Sequence, residues 1–235
     1  MFEVHRPNAA GIDVGAREMW VSVPPGRVEE DVRSFGTTTA ELHALADWLQ
    51  ECKVDSVAME STGVYWVPLY EILEERKLEV YLVNAQYAKA VPGRKSDVLD
   101  CQWLRKLHAH GLLRSSFRPS PEFVELRQYL RQRDTWVHAA ADDVRRLQKA
   151  LQLMNLQLHT VVSDITGQTG MLILRAVLAG ERDPKVLAQH RDPRCRATKE
   201  EIEAALIGNY RCEHLFALRQ SLEHWDFVQK MIVQC

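Results

Sequence analysis

From Ser120 onward the apolar residues of this chain fall on a seven-residue repeat: Phe123, Leu130, Val137, Val144, Leu151 and Leu158, interleaved with Leu126, Ala140, Leu147 and Met154. Arg133 alone breaks the pattern. A strand, whose side chains alternate with a period of two, cannot gather that spacing on one face, so the repeat commits the stretch to one long helix with a coiled-coil seam. Polar residues such as Asp134, Asp142, Asp143, Arg145 and Arg146 are expected on its outside, and residues 119–162 form the arm. An arm of this length needs a partner. Leu215, Leu218, Leu222, Trp225 and Ile232 have the spacing of a last helix that returns along it. Between the two lie a glycine-punctuated break at Asp164–Gly170, a short helix, turns at Asp183-Pro184 and Asp192-Pro193, and a capping box at Thr198–Glu201. The last helix reaches Cys235 without Gly, Pro or a cap, and the chain is expected to stop short of a further domain.

The first 118 residues read differently. Ala9–Val14, Met19–Val23 and Asp31–Phe35 are short β-rich runs joined by turn residues, which predicts an antiparallel meander. Thr38 or Thr39 caps a helix over roughly 39–52, with Leu42, Leu45, Ala46 and Leu49 on its apolar side. A strand ending at Glu60, a helix carrying Val67, Leu69, Tyr70 and Leu73, and a strand over Leu78–Val83 complete an α/β domain with a mixed five-stranded sheet and flanking helices. After Pro92-Gly93, Ser96 caps a helix over Asp97–His110 that Gly111 stops.

Composition narrows the function classes. The net charge of −2 gives no whole-chain attraction to nucleic acid, so any such binding must come from local clustering. Five cysteines form no C-x-x-C pair and the N-terminus lacks a signal-peptide core, which points to a reduced, cytoplasmic protein. No apolar run is long enough for a membrane span. The nine histidines are scattered, which argues against zinc.

Two acids stand where a buried strand should be apolar. Asp13 interrupts Ala9-Ala10-Gly11-Ile12-Asp13-Val14-Gly15, and Glu60 ends Ser56-Val57-Ala58-Met59-Glu60. A desolvated carboxylate needs a cation or donors to compensate it. Asp97 and Asp100 add a pair at i and i+3, neighbours on one helix face whose charges repel. Singly, each acid is most simply a cap or a surface group. Together they form a constellation suited to two hard divalent cations, Mg²⁺ or Mn²⁺, of the kind that cleaves phosphodiesters.

The strings Gly11-Ile12-Asp13-Val14-Gly15, Met59-Glu60-Ser61-Thr62-Gly63-Val64-Tyr65, Val83-Asn84-Ala85 and Arg94-Lys95-Ser96-Asp97-Val98-Leu99-Asp100 resemble the DEDD transposases of bacterial insertion sequences. Their N-terminal domain is similar to the RuvC resolvase, of the ribonuclease H-like class. The resemblance implies a RuvC-like domain over 1–118, with Asp13, Glu60, Asp97 and Asp100 as the catalytic and metal-binding tetrad. It further implies DNA transposition guided by a bridge RNA, and a homodimer or higher oligomer formed through the helical arm. Members of that family carry a C-terminal serine-bearing domain, which would follow the helical segment 163–235. Ser61, beside Glu60, is the tempting substitute for that serine, yet its position after a strand reads as a helix N-cap.

Lys89, Arg94, Lys95, Arg105, Lys106, Arg114 and Arg118 crowd the stretch around Asp97 and Asp100. Arg105 and Lys106 read as a solvated helix face, whereas Lys89, Arg94 and Lys95 read as contacts to nucleic-acid phosphate. Tyr65 and Trp66 are read as core more readily than as base-stacking platforms. Two other classes compete. One is a non-catalytic RNA- or DNA-binding and dimerisation module. The other is an actin-like ATPase or kinase, in which Gly15 would let phosphate approach; it leaves Asp97 and Asp100 unexplained, and no second phosphate loop is visible.

Overall fold

A computed structural model describes residues 3–61, 63–84 and 97–235. The chain divides into two compact units, Met1–Arg118 and Pro119–Cys235.

In the first unit β1 (Ala9–Val14), β2 (Glu18–Ser22) and β3 (Val32–Gly36) form the meander, α1 (Thr39–Glu51) and α2 (Trp66–Glu75) flank β4 (Ser56–Glu60), and β5 (Glu79–Val83) precedes α3 (Asp97–Ala109). The sheet order is β3-β2-β1-β4-β5, with β1–β2 and β2–β3 antiparallel and β1–β4 and β4–β5 parallel. This is the mixed five-stranded sheet with flanking helices expected from the sequence. Alternation along each strand sorts the two faces. Ala10, Ile12, Val14, Val57 and Met59 pack with Leu45, Leu49, Leu69 and Leu73 of α1 and α2, whereas Ala58 and Val83 pack with Leu104 of α3 on the other side. β1, covered on both faces, is apolar throughout except at Asp13.

α1 begins where its cap predicts, with the Thr38 hydroxyl accepting from the Glu41 amide. Ser61 is a correction: α2 starts only at Trp66, and the Ser61 hydroxyl donates to the Val83 carbonyl at 3.1 Å, tying the ends of β4 and β5 together. Arg105 is another. Its Nε donates to the buried Ser22 hydroxyl at 3.1 Å, so this cation braces α3 against β2 instead of pointing to solvent.

His108 of α3 lies fully buried against the sheet, its Nε2 3.0 Å from the Ser56 hydroxyl and its ring 4.5 Å from that of Tyr81. Burial first, and the positive charge of Arg6 next, push its pKa down to about 4. The folded value lies below the unfolded one, so neither state is protonated above about pH 6.5 and stability is full there. As pH falls toward 4 the unfolded chain takes up a proton that the folded one refuses, and about 3 kcal/mol is lost across that window. Urea unfolding at pH 7, 5.5 and 4.5 is expected to show this decline. His108→Gln should flatten it, and an equal slope in both proteins would exclude His108 as the cause.

The second unit is helical: α4 (Pro121–Leu153), α5 (Leu158–Val161), α6 (Gln168–Ala179), α7 (Pro184–Ala188), α8 (Lys199–Ala205) and α9 (Cys212–Gln234). α9 packs along α4, as the heptad spacing of both predicts, with Leu147, Leu151, Leu218 and Leu222 in one core. Trp136 meets Phe227 edge-on at 6.0 Å and Asp143 meets His224, which fixes an antiparallel register. Asp143 is fully buried rather than on the outside of the arm. Its Oδ2 accepts from His224 Nδ1 at 2.6 Å and its Oδ1 from Arg146 at 2.9 Å, so the buried charge is compensated.

The long helix ends at Leu153, short of the 162 that the repeat predicts. Asn155 takes a left-handed φ of 55°, while Asn209 N–H donates to the Met154 carbonyl and Gln157 N–H to that of Ala205. Backbone partners from the end of α8 and from the α8–α9 connection therefore draw the chain out of the helix, although Met154 and Leu158 keep their apolar positions in the core. Among the described residues no helix is long and apolar enough to cross a membrane.

Candidate metal centre

Asp13 sits near the end of β1 on the face that α3 covers, because Ile12 and Val14 on either side of it point into the opposite core. Two residues earlier, Gly11 lets α3 lie directly on the sheet. A Cβ there would stand 2.3 Å from both the Arg105 nitrogen and the Cys101 carbonyl oxygen. With Cys101 seated over Gly11, the first turn of α3 is carried alongside Asp13. Oxygens of Asp13, Asp97 and Asp100 consequently all lie within 4.8 Å of one another, Asp13 and Asp100 half-buried and Asp97 exposed.

Three carboxylates this close repel. Each pair costs about 1 kcal/mol near 4 Å in bulk water and several times that at a protein surface. An all-oxygen donor set offering negative charge suits a hard divalent cation. Cys101, directly beneath, adds no thiolate. Burial first and the negative charge of Asp13 next push its pKa up to about 12, with Asp100 raising it further, and its Sγ donates to the Val98 carbonyl at 3.1 Å.

Glu60 occupies the neighbouring strand. The pairing of Ile12 with Met59 sets Asp13 alongside Glu60, and Glu60 pairs with Val83, so it shares the α3-covered face. It is 8% exposed, and its carboxylate lies outside the close trio. Three of the four predicted acids are thus gathered and the fourth stands next to them. Gly11 and Cys101, which seat the helix, were not singled out from sequence; the only hint was a glycine two residues before a strand acid.

Lys89, Arg94 and Lys95 lie outside the described residues. Arg118, counted among the same basic residues, is engaged elsewhere: its guanidinium stacks 3.8 Å from the Tyr70 ring centre and pairs with Glu71 and Glu74. Trp66 packs edge-on to Tyr70 while Tyr65 is about half exposed, so only the first follows the core reading. Gly15 is explained by the hairpin. Its N–H donates to the Glu18 carbonyl, and a Cβ would stand 2.6 Å from that oxygen. The feature that favoured a phosphate loop is therefore a demand of the β1–β2 turn.

A family model of the DEDD IS110 type, described as "Transposase", matches residues 10–156, well over half of the chain. No curated protein matches. Among solved structures, "T. thermophilus RuvC in complex with Holliday junction substrate" is 15% identical, covering 46% of this chain and 98% of that one at a TM-score of 0.34.

Proposed function

Given that the chain belongs to the IS110-type DEDD transposase family, we propose that it cleaves and exchanges DNA strands at a divalent-metal site held by Asp13, Glu60, Asp97 and Asp100, with a guide RNA directing it to its DNA. The observation that carries this reading is the close approach of the Asp13, Asp97 and Asp100 oxygens. Mg²⁺ or Mn²⁺ supplies an activated water or hydroxyl and neutralises charge on the phosphate oxygens. The protein's part is to hold the acids. β1 and β4 fix Asp13 and Glu60 on adjacent strands, and the packing of α3 on Gly11 delivers Asp97 and Asp100. Lys89, Arg94 and Lys95, close in sequence to Asp97, contact the phosphates of the bound strand. Cleavage of labelled duplex and branched DNA with Mg²⁺ tests the reading, with Asp13→Asn as the blocked form.

The arm carries the partnership. α4 is 33 residues long, about 50 Å, against 23 residues, about 35 Å, for α9. Their antiparallel register leaves Phe123, Leu126 and Leu130 of α4 60, 50 and 54% exposed on one heptad stripe. Two copies of the chain bury this stripe against each other. Light scattering is expected to give a dimer for the unaltered chain and a monomer for Leu126→Asp/Leu130→Asp, with unchanged helicity. A monomeric parent or a dimeric variant would exclude this interface.

A further inference from the structure

A cavity of about 640 Å³ opens in the helical unit between residues 160–163, at the end of α5, and the 194–197 loop that leads into α8. Its size is that of a ligand pocket able to take a nucleotide. Val161, Val162 and Ala197 form apolar wall, and Ser163, Arg194 and Arg196 bring donors to it.

The loop is built rather than slack. Arg191 donates to the Ala197 carbonyl at 2.6 Å and to the Cys195 carbonyl at 2.7 Å, and the Asp192 amide donates to the Thr169 hydroxyl at 2.9 Å. Arg194 is held at the rim by Asp192 at 3.0 Å and by Gln168 at 3.2 Å. Arg196 is exposed and makes no side-chain hydrogen bond or ion pair among the described residues. The acid that also lines the cavity, Glu201, is turned into the helix cap, where it accepts from the Thr198 amide at 2.7 Å. Residues 189–201 hold Arg191, Arg194, Arg196 and Lys199 against Asp192, Glu200 and Glu201, a local charge of +1 in a chain whose total is −2.

We propose that this cavity is a phosphodiester-binding subsite, in which Arg196 and Arg194 grip the backbone of a nucleic-acid strand and the Ser163 hydroxyl supplies a neutral donor. A rigid loop presenting a spare guanidinium beside a hydroxyl and an apolar wall matches a phosphate with its attached sugar. The inference rests on the reading of the chain as a nucleic-acid enzyme for the identity of its ligand. It does not depend on the acidic centre.

The test is fluorescence anisotropy of the full chain with labelled single-stranded RNA, single-stranded DNA and duplex DNA of one sequence, in EDTA so that no cleavage intervenes. Arg194→Gln/Arg196→Gln is compared with Lys53→Gln/Lys77→Gln, which removes the same charge from the turns that precede β4 and β5. The first variant is expected to weaken binding about tenfold and to lower the slope of log affinity against log salt by about 1.4 for single strands or 1.8 for duplex. The control should change neither, and the strand type showing the loss identifies the ligand. Absence of binding by the unaltered chain, or equal changes in both variants, would overturn the subsite. Intact binding in EDTA with no cleavage in Mg²⁺ counts against the metal centre instead.

Discussion

Asp13→Asn is expected to lower Mg²⁺-dependent DNA cleavage by about a thousandfold, the equivalent of roughly 4 kcal/mol of transition-state stabilisation lost with a metal-holding carboxylate. The same substitution should also change how the protein responds to metal. With Mg²⁺ at a hundred times its dissociation constant, the unaltered protein gains about 2.7 kcal/mol from binding. The variant largely forgoes that gain, so the rise in melting temperature from EDTA to Mg²⁺ should be far larger in the parent than in Asp13→Asn. A bystander acid predicts neither the loss of cleavage nor this difference. Should Asp13→Asn cleave as the parent does, or gain as much in melting temperature from Mg²⁺, the metal centre is not at Asp13.

What sequence alone could and could not reveal follows from the range of the forces involved. Strand and helix positions in the first unit depend on local periodicity, turn residues and caps, and Thr38 and the β1–β5 runs were legible for that reason. Asp13 stood out because a charge inside a buried strand violates the pattern around it. The end of α4 was not legible. The heptad continues through Met154 and Leu158, and the break at Asn155 is imposed by hydrogen bonds from a segment some fifty residues away. Asp143 likewise looked like a surface acid until His224, distant in sequence, was placed against it. Ser61 shows the same limit at short range: β5 supplies its partner at Val83, whereas propensity offered only a cap. Glu60 was read correctly as an acid at a strand end, but how far its carboxylate stands from the trio depends on side-chain placement, which pattern does not encode.

The largest effect on folding is expected at Gly11, where one added methyl group should remove the site without touching an acid. In Gly11→Ala the new Cβ would lie 2.3 Å from a backbone nitrogen and a backbone oxygen of α3. Neither atom belongs to a side chain that can swing aside, and both are fixed in the helix ladder. The helix must therefore lift from β1, which also parts Leu104 from Ala58 and Val83 and loosens the contact of Arg105 with Ser22. Overpacking with backbone displacement costs about 3 kcal/mol. The first turn of α3 moves with the helix, so Asp97 and Asp100 leave Asp13 and metal affinity falls in step. Gly26→Ala provides the contrast, since a Cβ there meets nothing and only the left-handed φ of 78° is strained. Urea unfolding should show the larger loss for Gly11→Ala, and calorimetry with Mn²⁺ should show weakened binding in that variant alone. A Gly11→Ala protein that melts and binds Mn²⁺ like the parent would mean that α3 is not seated on β1, and that Asp97 and Asp100 reach Asp13 by some other support.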